Sequence, residues 1–174
     1  MKKSIAYIFV TILFASLLTS CSMNRPPDIT VTADKEEIDW IVAKNEWDGA
    51  MYDREDTFIS LFKQYDGFLY FPIGTEIEIE FKGQIPDTVT LTDCCLDEDG
   101  TQRFYYTQDI ELEFIGKKAS FSLLENMATL VSSIPSDYEA GSQIRGFRMT
   151  CKWGDNECEY AFVVLTDPPM ILAE

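Results

Sequence analysis

A mirror pattern about Gly154-Asp155 constrains this chain more than any other feature. With those two residues as a hairpin loop, Trp153 faces Asn156, Lys152 faces Glu157 and Cys151 faces Cys158. Met149 then faces Tyr160, and Phe147 faces Phe162. One face gains an opposite-charge pair and the other a largely apolar ladder, as expected of an antiparallel pair with one side on a core. The stretch from Thr75 to Lys82 alternates as strictly, with Ile77, Ile79 and Phe81 against Glu76, Glu78, Glu80 and Lys82. A period of two is the mark of a half-buried strand. Gly83 to Pro86 predicts a turn, Val89 and Leu91 open the next strand, and Asp97-Glu98-Asp99-Gly100 turns again. Ile110/Leu112/Phe114 and Ala119/Phe121/Leu123 read as two more strands around a Gly116-Lys117 turn.

Two short helices interrupt the strands. Phe58, Leu61, Phe62 and Tyr65 fall at helical spacing, with Asp53 placed to cap, Glu55 and Asp56 in the first turn and Gly67 beyond the end. Met127, Leu130, Val131 and Ile134 repeat the spacing before Pro135. Both apolar faces are expected to pack on the strands. Together these elements predict a mainly β chain, an immunoglobulin-like β-sandwich of about seven to eight antiparallel strands with two short helices. The antibody hallmarks are missing. Met149 stands where a corner tyrosine would precede Cys151, and no Cys…Trp…Cys spacing occurs.

The N-terminus reads as an export signal over residues 1–20. Lys2 and Lys3 supply positive charge, and the stretch from Ile5 to Leu18 is apolar apart from one Thr and one Ser. It is short for a spanning helix, which needs about 20 residues. It runs into Leu18-Thr19-Ser20-Cys21, which resembles the lipobox of bacterial lipoproteins. That resemblance implies cleavage before Cys21 and a diacylglycerol thioether on its sulfur. Residues 21–28 then form a lipidated tether, stiffened by Pro26-Pro27, and 29–174 a single sandwich domain. The expected location is the extracytoplasmic face of the cell membrane.

Composition narrows the function classes. The 174 residues carry 30 Asp+Glu, 14 Lys+Arg and no histidine, a formal charge of −16. Two of the bases lie in the signal, leaving 12 against 30 acids and a formal −18. Without histidine there is no Ser-His-Asp triad, no Cys-His pair and no HExxH zinc site. So acidic a chain is a poor partner for phosphate backbones, and nucleic acid is not expected. At 46% hydrophobic residues it is too apolar for a disordered acidic tail.

The stretch from Trp40 to Phe58, with Ile144-Arg145-Gly146-Phe147-Arg148 and the run from Trp153 to Tyr160, resembles a sandwich module of uncharacterised clostridial-type lipoproteins. It is also similar to the extracellular C-terminal domain joined to some antirepressor-type membrane metallopeptidases related to β-lactam sensors. The resemblance covers most of the chain after the signal and implies an extracytoplasmic location with a sensing or binding role. The peptidase zinc motif is absent, so no protease activity carries over.

Four thiols remain besides Cys21: Cys94, Cys95, Cys151 and Cys158. Cys151 and Cys158 share a face in the hairpin register and are candidates for a disulfide. An inter-sheet bond from Cys94 or Cys95 competes with it, and so do four buried free thiols. No CxxC occurs, and zinc is not expected. Asp97-Glu98-Asp99-Gly100 and Asp53-Arg54-Glu55-Asp56 offer oxygens but do not match a calcium loop, and they read as solvated turns and helix caps. No metal or cofactor is expected.

Residues 34–56 are read as a long loop in which Trp40, Trp47, Asp48 and Tyr52 form the candidate binding site. Indole rings amid acids stack on sugars or cations, or else close one end of the sandwich. The expected function is a non-catalytic, membrane-anchored binding or sensing module whose partner is a membrane protein. The alternative is a capture lipoprotein for cell-wall glycan, and a carboxylate-only hydrolase ranks last.

Overall fold

The computed structural model describes residues 25–53, 57–131 and 139–169, and its centre is the long C-terminal hairpin. Strands β10 (Gln143–Trp153) and β11 (Asn156–Thr166) pair through eleven positions, from Gln143 opposite Thr166 to Trp153 opposite Asn156. The register is the one the mirror pattern predicts, including Cys151 opposite Cys158. Gly154 has φ +58° in the two-residue loop, a conformation glycine adopts without penalty.

Nine further strands and two helices complete the described chain before it. These are β1 (Ile29–Ala33), β2 (Glu36–Ile38), β3 (Trp40–Trp47), β4 (Ala50–Asp53), α1 (Thr57–Gln64) and β5 (Glu76–Phe81). Then come β6 (Thr88–Leu96), β7 (Gln108–Ile110), β8 (Phe114–Ile115), β9 (Lys118–Ser122) and α2 (Met127–Val131), the last preceding β10. One sheet runs β2-β1-β5-β9-β8 and the other β4-β3-β11-β10-β6-β7, with every pairing antiparallel. Taking β1, β5, β9 and β8 as strands A, B, E and D, the second sheet reads G-F-C-C′ through β11, β10, β6 and β7. That is the immunoglobulin-like order. The hairpin β3–β4 and strand β2 are inserted between A and B and widen both sheets. Among the described residues no helix is long and apolar enough to cross a membrane.

The described residues form eleven strands against the expected seven to eight. Seven have five residues or more; β2, β4, β7 and β8 have only two to four, too few for an alternation to show. The segment 108–115 differs most from expectation. Ile110, Leu112 and Phe114 alternate as one strand would, yet β7 pairs with β6 in one sheet and β8 with β9 in the other. The chain crosses between sheets over residues 111–113. All three side chains still pack against the inter-sheet core, which is why the pattern survives the crossing.

Two apolar cores result. Between the sheets lie Val31, Ile77, Ile79, Phe81, Leu91, Phe147, Met149, Tyr160 and Phe162, all with no exposed surface. On the outer face of the second sheet, Phe58 and Leu61 of α1 cover Ile41, Ala43, Cys94, Leu96, Ala161 and Val163. Each large buried side chain contributes about 1.5–3 kcal/mol relative to exposure. Gly146 permits this docking, because a Cβ there would lie 2.7 Å from the Phe58 ring and 2.8 Å from Leu96. The helix begins at Thr57, and Asp53, expected as its cap, is instead the last residue of β4, opposite Lys44. Glu55, Asp56 and Ile134 lie outside the described residues.

Part of the expected tether belongs to the domain. Pro26 and Pro27 are buried, and the Tyr160 hydroxyl donates to the Pro27 carbonyl at 2.6 Å. The Lys82 amide donates to the Asp28 carbonyl at 2.9 Å. Cys21 and the signal segment lie outside the described residues.

Candidate functional site

The four residues read from the sequence as one binding loop do not share a loop. Trp40 and Trp47 are the first and last residues of β3, Tyr52 is on β4 opposite Asn45, and only Asp48 is in the connecting turn. Over an eight-residue strand the two indoles start about 24 Å apart. Both face inward, although their numbers differ in parity. The β3–β11 register shifts between Glu159 and Tyr160, so that Lys44 and Val42 of β3 face consecutive residues of β11. The extra residue at Ala43 switches the alternation. Trp40 packs edge-on against Tyr160 at 5.7 Å, and Trp47 against Trp153 at 5.2 Å. These rings close the sandwich, the other reading that the sequence allowed. Asp48 donates its backbone N–H to Asn156 Oδ1 at 3.0 Å, tying the β3–β4 turn to the terminal hairpin. Tyr52 is exposed beside Met51 on the edge strand.

The four thiols are free and buried. Strand parity separates the adjacent pair: Cys94 lies under α1 and donates to the Gly146 carbonyl at 3.3 Å, while Cys95 accepts from Gln143 Nε2 at 3.5 Å. Cys151 and Cys158 face one another across the hairpin inside the main core. Burial pushes the Cys95 thiol up to about 11 and those of Cys94 and Cys158 up to about 12; Cys151 is raised by burial and by its neighbour Cys158. None is therefore a nucleophile at neutral pH. Among the described residues no group of three or more Cys, Asp or Glu side chains is arranged to hold a metal ion. The oxygens of the 97–100 turn have local partners instead. Asp99 accepts from the Thr101 amide and hydroxyl at 2.9 and 2.6 Å, and Asp97 accepts from Arg103 Nε at 2.6 Å.

The most organised polar group was not singled out from the sequence. Asp93 on β6 and Arg145 on β10 are 0% and 1% exposed and form a two-pronged ion pair, with Nε to Oδ1 at 2.8 Å and the second contact from Nη2 to Oδ2. Asn126, also fully buried, donates to Asp93 Oδ2 at 2.8 Å and accepts the Ala128 amide at 2.8 Å, capping α2. Arg145 Nη1 donates to the Leu124 carbonyl at 3.0 Å. The cluster thus fixes the β9–α2 connection onto the second sheet. Met127 donates its N–H to Gln108 Oε1 at 3.3 Å and joins this connection to edge strand β7. Over that corner Tyr105, Tyr106, Leu124 and Met127 are exposed, and the 97–99 acids and Glu125 flank it. Exposed tyrosine faces near carboxylates can stack on a planar or sugar ring, with the carboxylates accepting hydrogen bonds at its edge. A signal for the ion pair was present, since Arg145 shares inward parity with Phe147 and Asp93 shares it with Leu91.

No family model matches the chain, and no curated protein or solved structure is significantly similar to it. Its function is therefore argued from the residues themselves.

Proposed function

We propose that this protein is a lipid-anchored extracytoplasmic binding or sensing module without catalytic activity. The observation that carries this reading is Leu18-Thr19-Ser20-Cys21, placed after a Lys2-Lys3 start and an apolar run. An immunoglobulin-like sandwich is compatible with the role, since it clusters loops at its two ends. The absence of histidine and the high thiol pKa values leave no imidazole acid/base and no thiolate nucleophile at neutral pH among the described residues. The partner is read as a membrane protein, contacted through the Tyr105, Tyr106, Leu124 and Met127 corner. Exposed tyrosine rings amid acids favour a second reading, capture of cell-wall glycan.

The anchor is tested by fractionation. Cys21→Ala is expected to move the protein from the membrane to the soluble fraction, and retention in the membrane overturns the lipid anchor. The partner is tested by crosslinking intact cells and by sedimentation with purified peptidoglycan, each with Tyr105→Ala/Tyr106→Ala beside the parent. A crosslinked membrane protein lost in the double variant supports sensing. Peptidoglycan retention lost in the same variant supports capture.

A further inference from the structure

The two ends of the sandwich differ sharply in charge. One end collects the chain entry at 25–28 with the turns 47–50, 82–87, 115–118 and 152–157. They belong together because Phe81 donates its N–H to the Lys117 carbonyl at 3.0 Å, Trp153 Nε1 to the Gln84 carbonyl at 3.1 Å, and Asp48 N–H to Asn156 at 3.0 Å. These five segments hold five bases (Arg25, Lys82, Lys117, Lys118, Lys152) and five acids (Asp28, Asp48, Asp87, Asp155, Glu157), a formal charge of zero within the segments, with Glu46 and Glu80 on the strands opposite Glu157 and Lys118. The opposite end collects 34–35, 65–75, 97–103, 123–126, 139–142 and 167–169, joined by contacts such as Gly74 N–H to the Leu123 carbonyl and Tyr70 to Asp167. There, eight acids meet two bases. Strand β10, about 34 Å long, separates the ends by more than three Debye lengths at physiological salt.

The chain enters at the neutral end. Pro26 and Pro27 are buried there, Tyr160 holds the Pro27 carbonyl, and Arg25 pairs with Asp28 at 3.2 Å. From Arg25 back to Cys21 are four residues, a reach of at most about 14 Å. At the tip of the β8–β9 turn Ile115 is 88% exposed beside Lys117, and Ile85 is exposed on the neighbouring turn. We propose that this end is the face apposed to an anionic lipid bilayer, with Ile115 and Lys117 in the headgroup layer and the acidic end turned outward. The proposal rests on the Cys21 anchor read above. A short leash on a neutral end brings that end down, and repulsion between carboxylates and anionic lipid keeps the other end away. Ile115 adds apolar contact and Lys117 snorkels to the phosphates.

The test uses the full-length protein extracted from its native membrane and reconstituted in 7:3 phosphatidylcholine:phosphatidylglycerol vesicles carrying a headgroup-region spin-labelled lipid. Ile115→Cys and Glu98→Cys are each labelled with a thiol-reactive fluorophore in the folded state, where the four buried native thiols do not react. Several-fold stronger quenching at position 115 than at 98, reduced about twofold by adding Lys117→Glu and Lys118→Glu, is the expected result. Intact mass reports lipid on Cys21 in the same samples. Lipid present with equal quenching at the two positions overturns the orientation alone. Lipid absent overturns the anchor reading and the orientation with it.

Discussion

Asp93 and Arg145 are separated by 52 positions and meet with essentially no exposed surface. Burying two charges is costly, and geometry repays it only when every remaining donor and acceptor is used. Here Asn126 and the Leu124 carbonyl supply the additional bonds. Removing one partner strands the other in a dry site. Asp93→Ala is therefore expected to cost about 3–5 kcal/mol, read as a lower urea midpoint, and to loosen α2, read as faster amide exchange at Ala128. Asp93→Leu with Arg145→Met is expected to recover most of that loss, because an apolar pair leaves no uncompensated charge. A single Asp93→Ala variant as stable as the parent would show that the pair contributes nothing. By contrast, the exposed pairs Lys118–Glu78 and Lys82–Glu80 are surface contacts of small worth.

At the level of elements, α1 and the outer face of the second sheet were both legible, but their mating was not. Helical spacing marks Phe58, Leu61 and Phe62 as one face, and alternation marks Ala161 and Val163 as the off-core side of β11. What lets them meet is a missing side chain at Gly146, whose added Cβ would sit within 2.8 Å of Phe58 and Leu96. Gly146→Ala is expected to destabilise by about 1–3 kcal/mol through overpacking and to raise binding of a hydrophobic dye as the helix lifts from the sheet. An unchanged unfolding midpoint would place the helix elsewhere. The inserted hairpin shows the opposite limit of sequence reading. Residues 34–56 look like a loop because a single bulge at Ala43 breaks the alternation; either half of β3 is regular, but the halves are out of phase.

Across the whole molecule, the buried acids of high pKa act together. Cys94, Cys95, Cys151, Cys158 and Tyr160 all have folded-state values raised by burial. In the unfolded chain the thiols lose protons near 9.0 and the tyrosine near 10.0. Below pH 9 both states are protonated and these groups contribute their full stability. Above it the unfolded chain binds fewer protons than the folded one, so stability falls as pH rises, over a window from about 9 to about 12. Each group contributes up to about 1.4 kcal/mol per pH unit. With reductant present, urea midpoints are expected to drop steeply between pH 8.5 and 10.5; a flat profile overturns the burial of the thiols. A Cys151–Cys158 disulfide would remove two of the five groups, so a shallower slope that reductant restores reports that bond directly.

The sequence by itself determined the class of fold, the register of the terminal hairpin, the faces of β5 and β9 and the helical stripe of α1. Each depends on short-range chemistry: alternation of side chains, turn residues, and apolar spacing within one element. The proposed function draws from the sequence only the apolar N-terminal run and the lipobox-like Cys21. Tertiary structure decided what depends on distant parts of the chain. It sent residues 108–115 across from one sheet to the other, turned Trp40 and Trp47 inward through one bulge, and joined Asp93 to Arg145. It also gathered four scattered turns at one end beside the chain entry. Local pattern names no partner for any of these, because antiparallel packing brings together residues 52 and 133 positions apart, and their energies exist only once the sheets have closed.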